Sequence, residues 1–122
     1  MANTKKGFVV YFDNYPLLSG LSMEQRGLLF SALMVYADRV WRDSSVALDE
    51  VAEGFMKLTP ETRMALGFMG AAVQRDTQAW LSRREYRAKR KLEASAAEAE
   101  QRAREDMERA RRLMEQMDRD SL

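Results

Sequence analysis

The residues with the most chemical character lie between positions 83 and 91: Arg83, Arg84, Arg87, Lys89, Arg90 and Lys91. On a helix, Arg83, Arg87, Arg90 and Lys91 fall near one side, with Arg84 and Lys89 flanking it. Such a patch suits phosphate oxygens, and Tyr86 or Trp80 offers a ring on which a base can stack. The same charges would equally serve as a solvated face around a helix neck, so the collar alone does not decide between the two. Catalysis has little to work with. The sequence contains no histidine and no cysteine, which removes the usual zinc ligands, the Ser-His and Cys-His nucleophile pairs and the commonest general base. Gly67 and Gly70 sit inside an apolar stretch and lack the preceding strand that a phosphate-cradling loop requires. The carboxylates fall at ion-pairing spacing and not as an isolated pair. We therefore expect no enzyme, no catalytic residue, no metal and no cofactor.

The elements that must position the collar are bounded by size and charge. At 122 residues the chain has room for one domain, and roughly the first 80 residues are able to share a core. A formal net charge of +1 hides a split. Residues 1–82 carry eight Lys/Arg against nine Asp/Glu, residues 83–91 six against one, and residues 92–122 six against nine. The protein thus has a local basic collar without being basic overall. The absence of cysteine fits an intracellular setting. No apolar run reaches the roughly 18 residues of a membrane span, and the lysines near the N-terminus precede no signal-type core. We expect a cytoplasmic protein of the host cell with no membrane contact.

Taken in order, residues 1–6 read as polar and frayed. Residues 7–13 are ambiguous: Val9 and Val10 favour a strand, while Phe8, Tyr11, Phe12 and Tyr15 fit helical spacing. With no second strand to pair with, a short helix or a buried extended segment ending before Pro16 is expected. Ser22-Met23-Glu24-Gln25 is a capping box that starts a helix. That helix carries one apolar stripe at Leu29, Ala32, Leu33, Tyr36 and Val40 and a second at Phe30, Met34, Ala37 and Trp41. It is either the central core helix, or its second stripe faces a partner through Phe30, Met34 and Trp41. Arg42–Ser45 is a loop, and Leu48, Val51, Phe55 and Leu58 mark a short amphipathic helix weakened by Gly54. Thr59 and Pro60 then open a helix that nothing after Pro60 breaks. Its inward face is Ala65, Leu66, Met69, Ala72, Val73, Thr77 and Trp80. Gly67 and Gly70 each cost up to about 1 kcal/mol of helix propensity, a cost that close approach of a neighbouring helix would repay.

Beyond the collar the apolar positions are Leu92, Ala96, Ala99, Ala103, Met107, Ala110, Met114 and Met117. Their spacing repeats every eleven residues, which predicts a nearly straight or slightly right-handed seam for self-association. Glutamates precede bases by four residues at Glu85/Lys89, Glu98/Arg102, Glu100/Arg104, Glu105/Arg109, Glu108/Arg112 and Glu115/Arg119. Each pair contributes about 0.2–0.5 kcal/mol, enough in sum to hold a solitary solvated helix. A homodimer through this helix and a lone helix both remain open.

Several short elements carry a resemblance. They are Gly7-Phe8-Val9-Val10-Tyr11, Leu21-Ser22-Met23-Glu24-Gln25-Arg26-Gly27-Leu28-Leu29, Tyr36-Ala37, Pro60, Met64-Ala65, Phe68-Met69, Arg75-Asp76, Trp80 and the basic run from Arg83. Over residues 7–91 the chain resembles a family of small phage and prophage helical proteins of unknown function, often encoded near replication genes. It departs from that pattern in a longer connection at residues 38–59 and in an Ala/Glu/Arg-rich tail where a Gly/Arg-rich end is commoner. The resemblance implies a phage origin and supplies no catalytic residues. A phage setting also implies that such a protein blocks a host enzyme by covering its surface.

The expected fold is all-α: a compact N-terminal helical domain, residues 1–82, followed by a basic neck and one long projecting C-terminal helix, residues 83–122. The expected function is that of a non-enzymatic phage-type interaction protein. It would bind and block a host defence or replication protein, as an anti-CRISPR inhibitor of a nucleic-acid enzyme does. The alternative is a nucleic-acid-associated accessory of phage DNA replication acting through the collar.

Overall fold

The computed structural model describes residues 4–121, and all regular structure among them is helical. An extended segment leads to a 3-10 turn at Phe12–Asn14. Four α-helices follow: α1 (Tyr15–Ser19), α2 (Met23–Val40), α3 (Leu48–Glu53) and α4 (Pro60–Asp120). The all-α class and the long C-terminal helix are those expected. The residues fall into two compact units, Met1–Arg83 and Arg84–Leu122.

The first unit is built around α2. Ser22 takes an extended backbone, and its hydroxyl accepts the Gln25 N–H at 3.1 Å, which is the cap expected. The reciprocal half of the box does not form, because Gln25 is used elsewhere. Its Nε2 donates to the Lys57 carbonyl at 2.9 Å, and its Oε1 accepts the Thr59 N–H at 3.1 Å. One side chain therefore ties the start of α2 to the connection that enters α4. Thr59 caps that helix in turn, its hydroxyl accepting the Thr62 N–H at 3.3 Å and meeting the buried Thr62 hydroxyl at 2.8 Å. Pro60 stands at the first helical position, where its missing N–H leaves no bond unmade.

The core joins Leu29, Ala32, Leu33, Tyr36 and Val40 of α2 to Val51 and Ala52 of α3 and to Ala65, Leu66, Met69 and Val73 of α4. The first α2 stripe is buried in full; the second is not. Ala37 is buried, Trp41 is half-buried, and Phe30 and Met34 remain 56% and 48% exposed. Helix α3 is shorter than its apolar spacing suggests. Gly54 ends it, and Phe55 and Leu58 pack from the connection that follows.

Two other expectations need correction. Residues 8–13 are neither helical throughout nor buried. Tyr11 is extended, the chain turns only at Phe12–Asn14, and Val9, Val10, Tyr11 and Phe12 are exposed, with Phe8 alone packed on the core. With no strand to pair with, the β-branched pair holds the backbone extended while the Phe8 ring anchors it. The segment does end before Pro16, as expected, and Pro16 sits in the first turn of α1. Finally, only one of the two α4 glycines marks a close approach. A methyl at Gly70 would lie 2.6 Å from Leu48 Cδ2 on α3, whereas Gly67 has nothing within 4 Å.

In the second unit every residue from Glu85 to Ser121 is exposed. Its ion pairs are local: Glu100–Arg104 at 2.7 Å, Glu108–Arg112 at 2.9 Å and Asp106–Arg109 at 2.6 Å. Arg109 thus reaches the acid three residues before it, not Glu105. No helix of the described residues is long and apolar enough to cross a membrane.

Candidate functional site

The extended segment before Phe12 has grooves on two sides. Lys5, Lys6, Gly7 and Phe8 line both of them. Residues 1–6 were expected to be frayed. Residues 1–3 lie outside the described residues, but Lys5 and Lys6 are placed against the helices, and the Lys5 ammonium donates to the Gly7 carbonyl. The segment is held by Phe8 on the core and by Tyr11, whose hydroxyl donates to the Asp76 carboxylate on α4. That hydrogen bond, with smaller contributions from desolvation and the negative charge, holds the Tyr11 phenol above its ordinary pKa. The phenol stays protonated at neutral pH. Asp76 also meets Arg75 Nε at 3.5 Å.

The groove on the α2 side has a volume of about 380 Å³. Val10, Phe30, Met34, Ala37, Asp38 and Trp41 complete its lining. Phe30, Met34 and Trp41 are the partner-facing residues expected from the sequence, and the structure brings them to one groove. They share a face because their spacing of four and seven returns to the same side of a helix. The carboxylate of Asp38 is engaged by Arg42 at 3.2 Å, and the Arg42 guanidinium lies 5.1 Å from the Trp41 ring centroid. The positive rim at Lys5 and Lys6 is therefore matched by little free negative charge in this groove.

The groove on the α4 side is larger, about 710 Å³. Val9, Tyr11, Asp76, Ala79, Trp80 and Arg83 complete its lining. Trp80 packs edge-to-face on Trp41, with ring centroids 6.0 Å apart and planes at 79°. Such a pair contributes roughly 0.5–1.5 kcal/mol beyond its buried area, so each tryptophan both packs on the other and lines a groove.

Of the basic collar, Arg83 lies in the first unit and lines this second groove. Arg87, Lys89, Arg90 and Lys91 are exposed on α4 in the second unit, and Arg84 is half-exposed. The Arg90 guanidinium stands 5.9 Å from the centroid of the Tyr86 ring, so Tyr86 is engaged from one side by its own helix. The expected self-association positions Leu92, Ala96, Ala99, Ala103, Met107, Ala110, Met114 and Met117 are all exposed on α4.

Sequence reasoning missed Lys5, Lys6, Phe8 and Tyr11 as groove residues. The signal was an aromatic and β-branched run with no strand partner, flanked by lysines. Only tertiary packing says what such a run lies against.

Residues 7–112 match a family described as a family of unknown function, DUF6291. The match reaches into the Ala/Glu/Arg-rich stretch, beyond the residues that carried the resemblance. No match was found among curated proteins or among solved structures.

Proposed function

The chain belongs to this family of unknown function, and from the grooves it carries we propose that it is a non-enzymatic interaction protein. In this reading it binds a protein partner in the groove on the α2 side and acts by occupying that partner's surface. One observation carries the proposal: Phe30 and Met34 stand 56% and 48% exposed on a helix whose other apolar stripe is fully buried. Large apolar groups left in water lose the stabilisation that burial gives, and aromatic and methionine side chains supply the adaptable area that interfaces favour. Lys5 and Lys6 on the rim suit a partner that presents an apolar anchor flanked by carboxylates.

The finer form of the proposal is a phage inhibitor of a host nucleic-acid enzyme, anti-CRISPR-like in acting by stoichiometric occlusion and not by turnover. Pairing of residues 92–117 with a second copy is part of the same reading. A second reading, contact between the collar and nucleic-acid phosphates, is favoured by the exposure of Arg87, Lys89, Arg90 and Lys91 on one stretch of helix.

The test is capture of partners from nuclease-treated host lysate by the parent protein and by a Phe30→Glu/Met34→Glu variant, with the melting temperature of each as a folding control. The captured protein is then titrated in its own activity assay. We expect capture that survives nuclease, is lost in the variant at unchanged melting temperature, and inhibits at a fixed molar ratio. Identical capture by the folded variant would remove the α2 groove from the account. Inactivation of a molar excess of target would remove occlusion.

A further inference from the structure

We propose that the groove on the α4 side is a binding site for single-stranded nucleic acid, with Lys5, Lys6 and Arg83 on phosphates and Trp80 and Tyr11 against bases. The site lies on the other side of the extended segment from the α2-side groove and shares Lys5, Lys6, Gly7 and Phe8 with it, but its rings and Arg83 belong to it alone. Its residues come from two distant parts of the sequence. The extended segment delivers Lys5, Lys6 and Tyr11, and α4 delivers Trp80 and Arg83, with Asp76 one turn before Trp80 on the same lining. Cations and aromatic rings on one lining are the combination that single-strand sites use: charge tracks the backbone, and rings stack with unpaired bases whatever their identity. A duplex offers no open base face to such rings. The volume of about 710 Å³ falls within the usual range for small ligands, roughly 300–1,000 Å³, and so takes one nucleotide unit of a longer strand. The acid in the lining, Asp76, accepts from Tyr11 and pairs with Arg75. Its charge is thus partly met inside the protein, and the phenol it binds remains neutral beside a phosphate.

Labelled oligothymidine titrated into a Trp41→Phe variant, which keeps Trp80 as the sole tryptophan, tests this directly. We expect binding that quenches Trp80 emission and a log–log salt slope of roughly −2, about −0.7 for each of the contacts by Lys5, Lys6 and Arg83. Lys5→Glu/Lys6→Glu should flatten that slope. Trp80→Leu, which keeps apolar volume without a stacking ring, should weaken binding about tenfold or more, with the melting temperature as control. No binding at about 50 mM salt would overturn the assignment. So would binding without quenching, or binding indifferent to Lys5 and Lys6, since either places the contact elsewhere. Equal affinity for duplex, or for thymidine monophosphate, would overturn it in favour of a different ligand. The Phe30→Glu variant should bind oligothymidine as the parent does, which keeps failure at this groove distinct from failure at the other.

Discussion

Residues 60–83 and residues 84–120 belong to one helix and are held by different forces. The first stretch buries Thr62, Ala65, Leu66, Met69, Gly70, Val73 and Thr77 against α2 and α3. The second buries nothing from Glu85 onward and relies on alanine-rich propensity and ion pairs between successive turns. A helix can therefore be fixed by tertiary packing over one length and by local chemistry over the next, with no break in its hydrogen bonding. The difference should be visible in what each stretch tolerates.

The largest expected effect is in the packed unit. Leu33 is 1% exposed, and Leu33→Ala removes its burial and leaves a cavity, a loss of about 2–5 kcal/mol. Trp41 and Trp80 both lie in this unit, so tryptophan fluorescence reports its unfolding. The urea midpoint should fall sharply, while circular dichroism retains the helical signal of residues 84–120. A single coincident loss of both signals would break the comparison, because it would make the second stretch dependent on the first.

That contrast was legible in the sequence where periodicity carried it. The stripe at Leu29, Ala32, Leu33, Tyr36 and Val40 has a helical period and is buried as expected; the Ser22 cap and the Thr59-Pro60 start follow from local rules that need no partner. What was not legible depended on distant contacts. Gln25 had a capping role by spacing, but a carbonyl at Lys57 and an amide at Thr59 compete for it and win. Phe30 and Met34 look the same as core residues in sequence, since periodicity marks two stripes and cannot say which is covered. The grooves were invisible, because Lys5 and Arg83 come to line one groove only once the chain is folded.

A smaller effect sharpens the comparison inside the packed unit itself. Gly67 is exposed with open space where a Cβ would go, so it behaves as residues of the second stretch do and feels only helix propensity. Gly67→Ala should stabilise by up to about 1 kcal/mol. The same change at Gly70 pushes a methyl to 2.6 Å from Leu48 Cδ2, and overpacking costs of about 1–3 kcal/mol offset the propensity gain. The urea midpoint should rise for Gly67→Ala and fall for Gly70→Ala. Equal gains at both positions would mean that Leu48 yields freely and that packing does not govern this part of α4.

The smallest effect on unfolding is expected from the proposed pairing of residues 92–117 with a second copy, because the seam is mostly alanine and methionine and buries little per residue. Its orientation follows from charge. Residues 93–100 carry Glu93, Glu98 and Glu100 with no base, and residues 109–112 carry Arg109, Arg111 and Arg112 with no acid. Parallel helices in register would set each block against itself. An antiparallel pair with Leu92 opposite Met117 sets the acidic block of one copy against the basic block of the other, at a cost only in local pairs such as Glu108–Arg112. The sequence has no cysteine, so introduced thiols report geometry without background. Leu92→Cys/Met117→Cys should crosslink between copies on mild oxidation, and Leu92→Cys alone should not. Light scattering over a concentration series should approach twice the monomer mass at low salt, and glutamate at Ala99, Ala103 and Ala110 should return it to the monomer. Crosslinking by Leu92→Cys alone would reverse the orientation; a monomer at every concentration would leave residues 84–120 a solitary helix, held by its own turns alone.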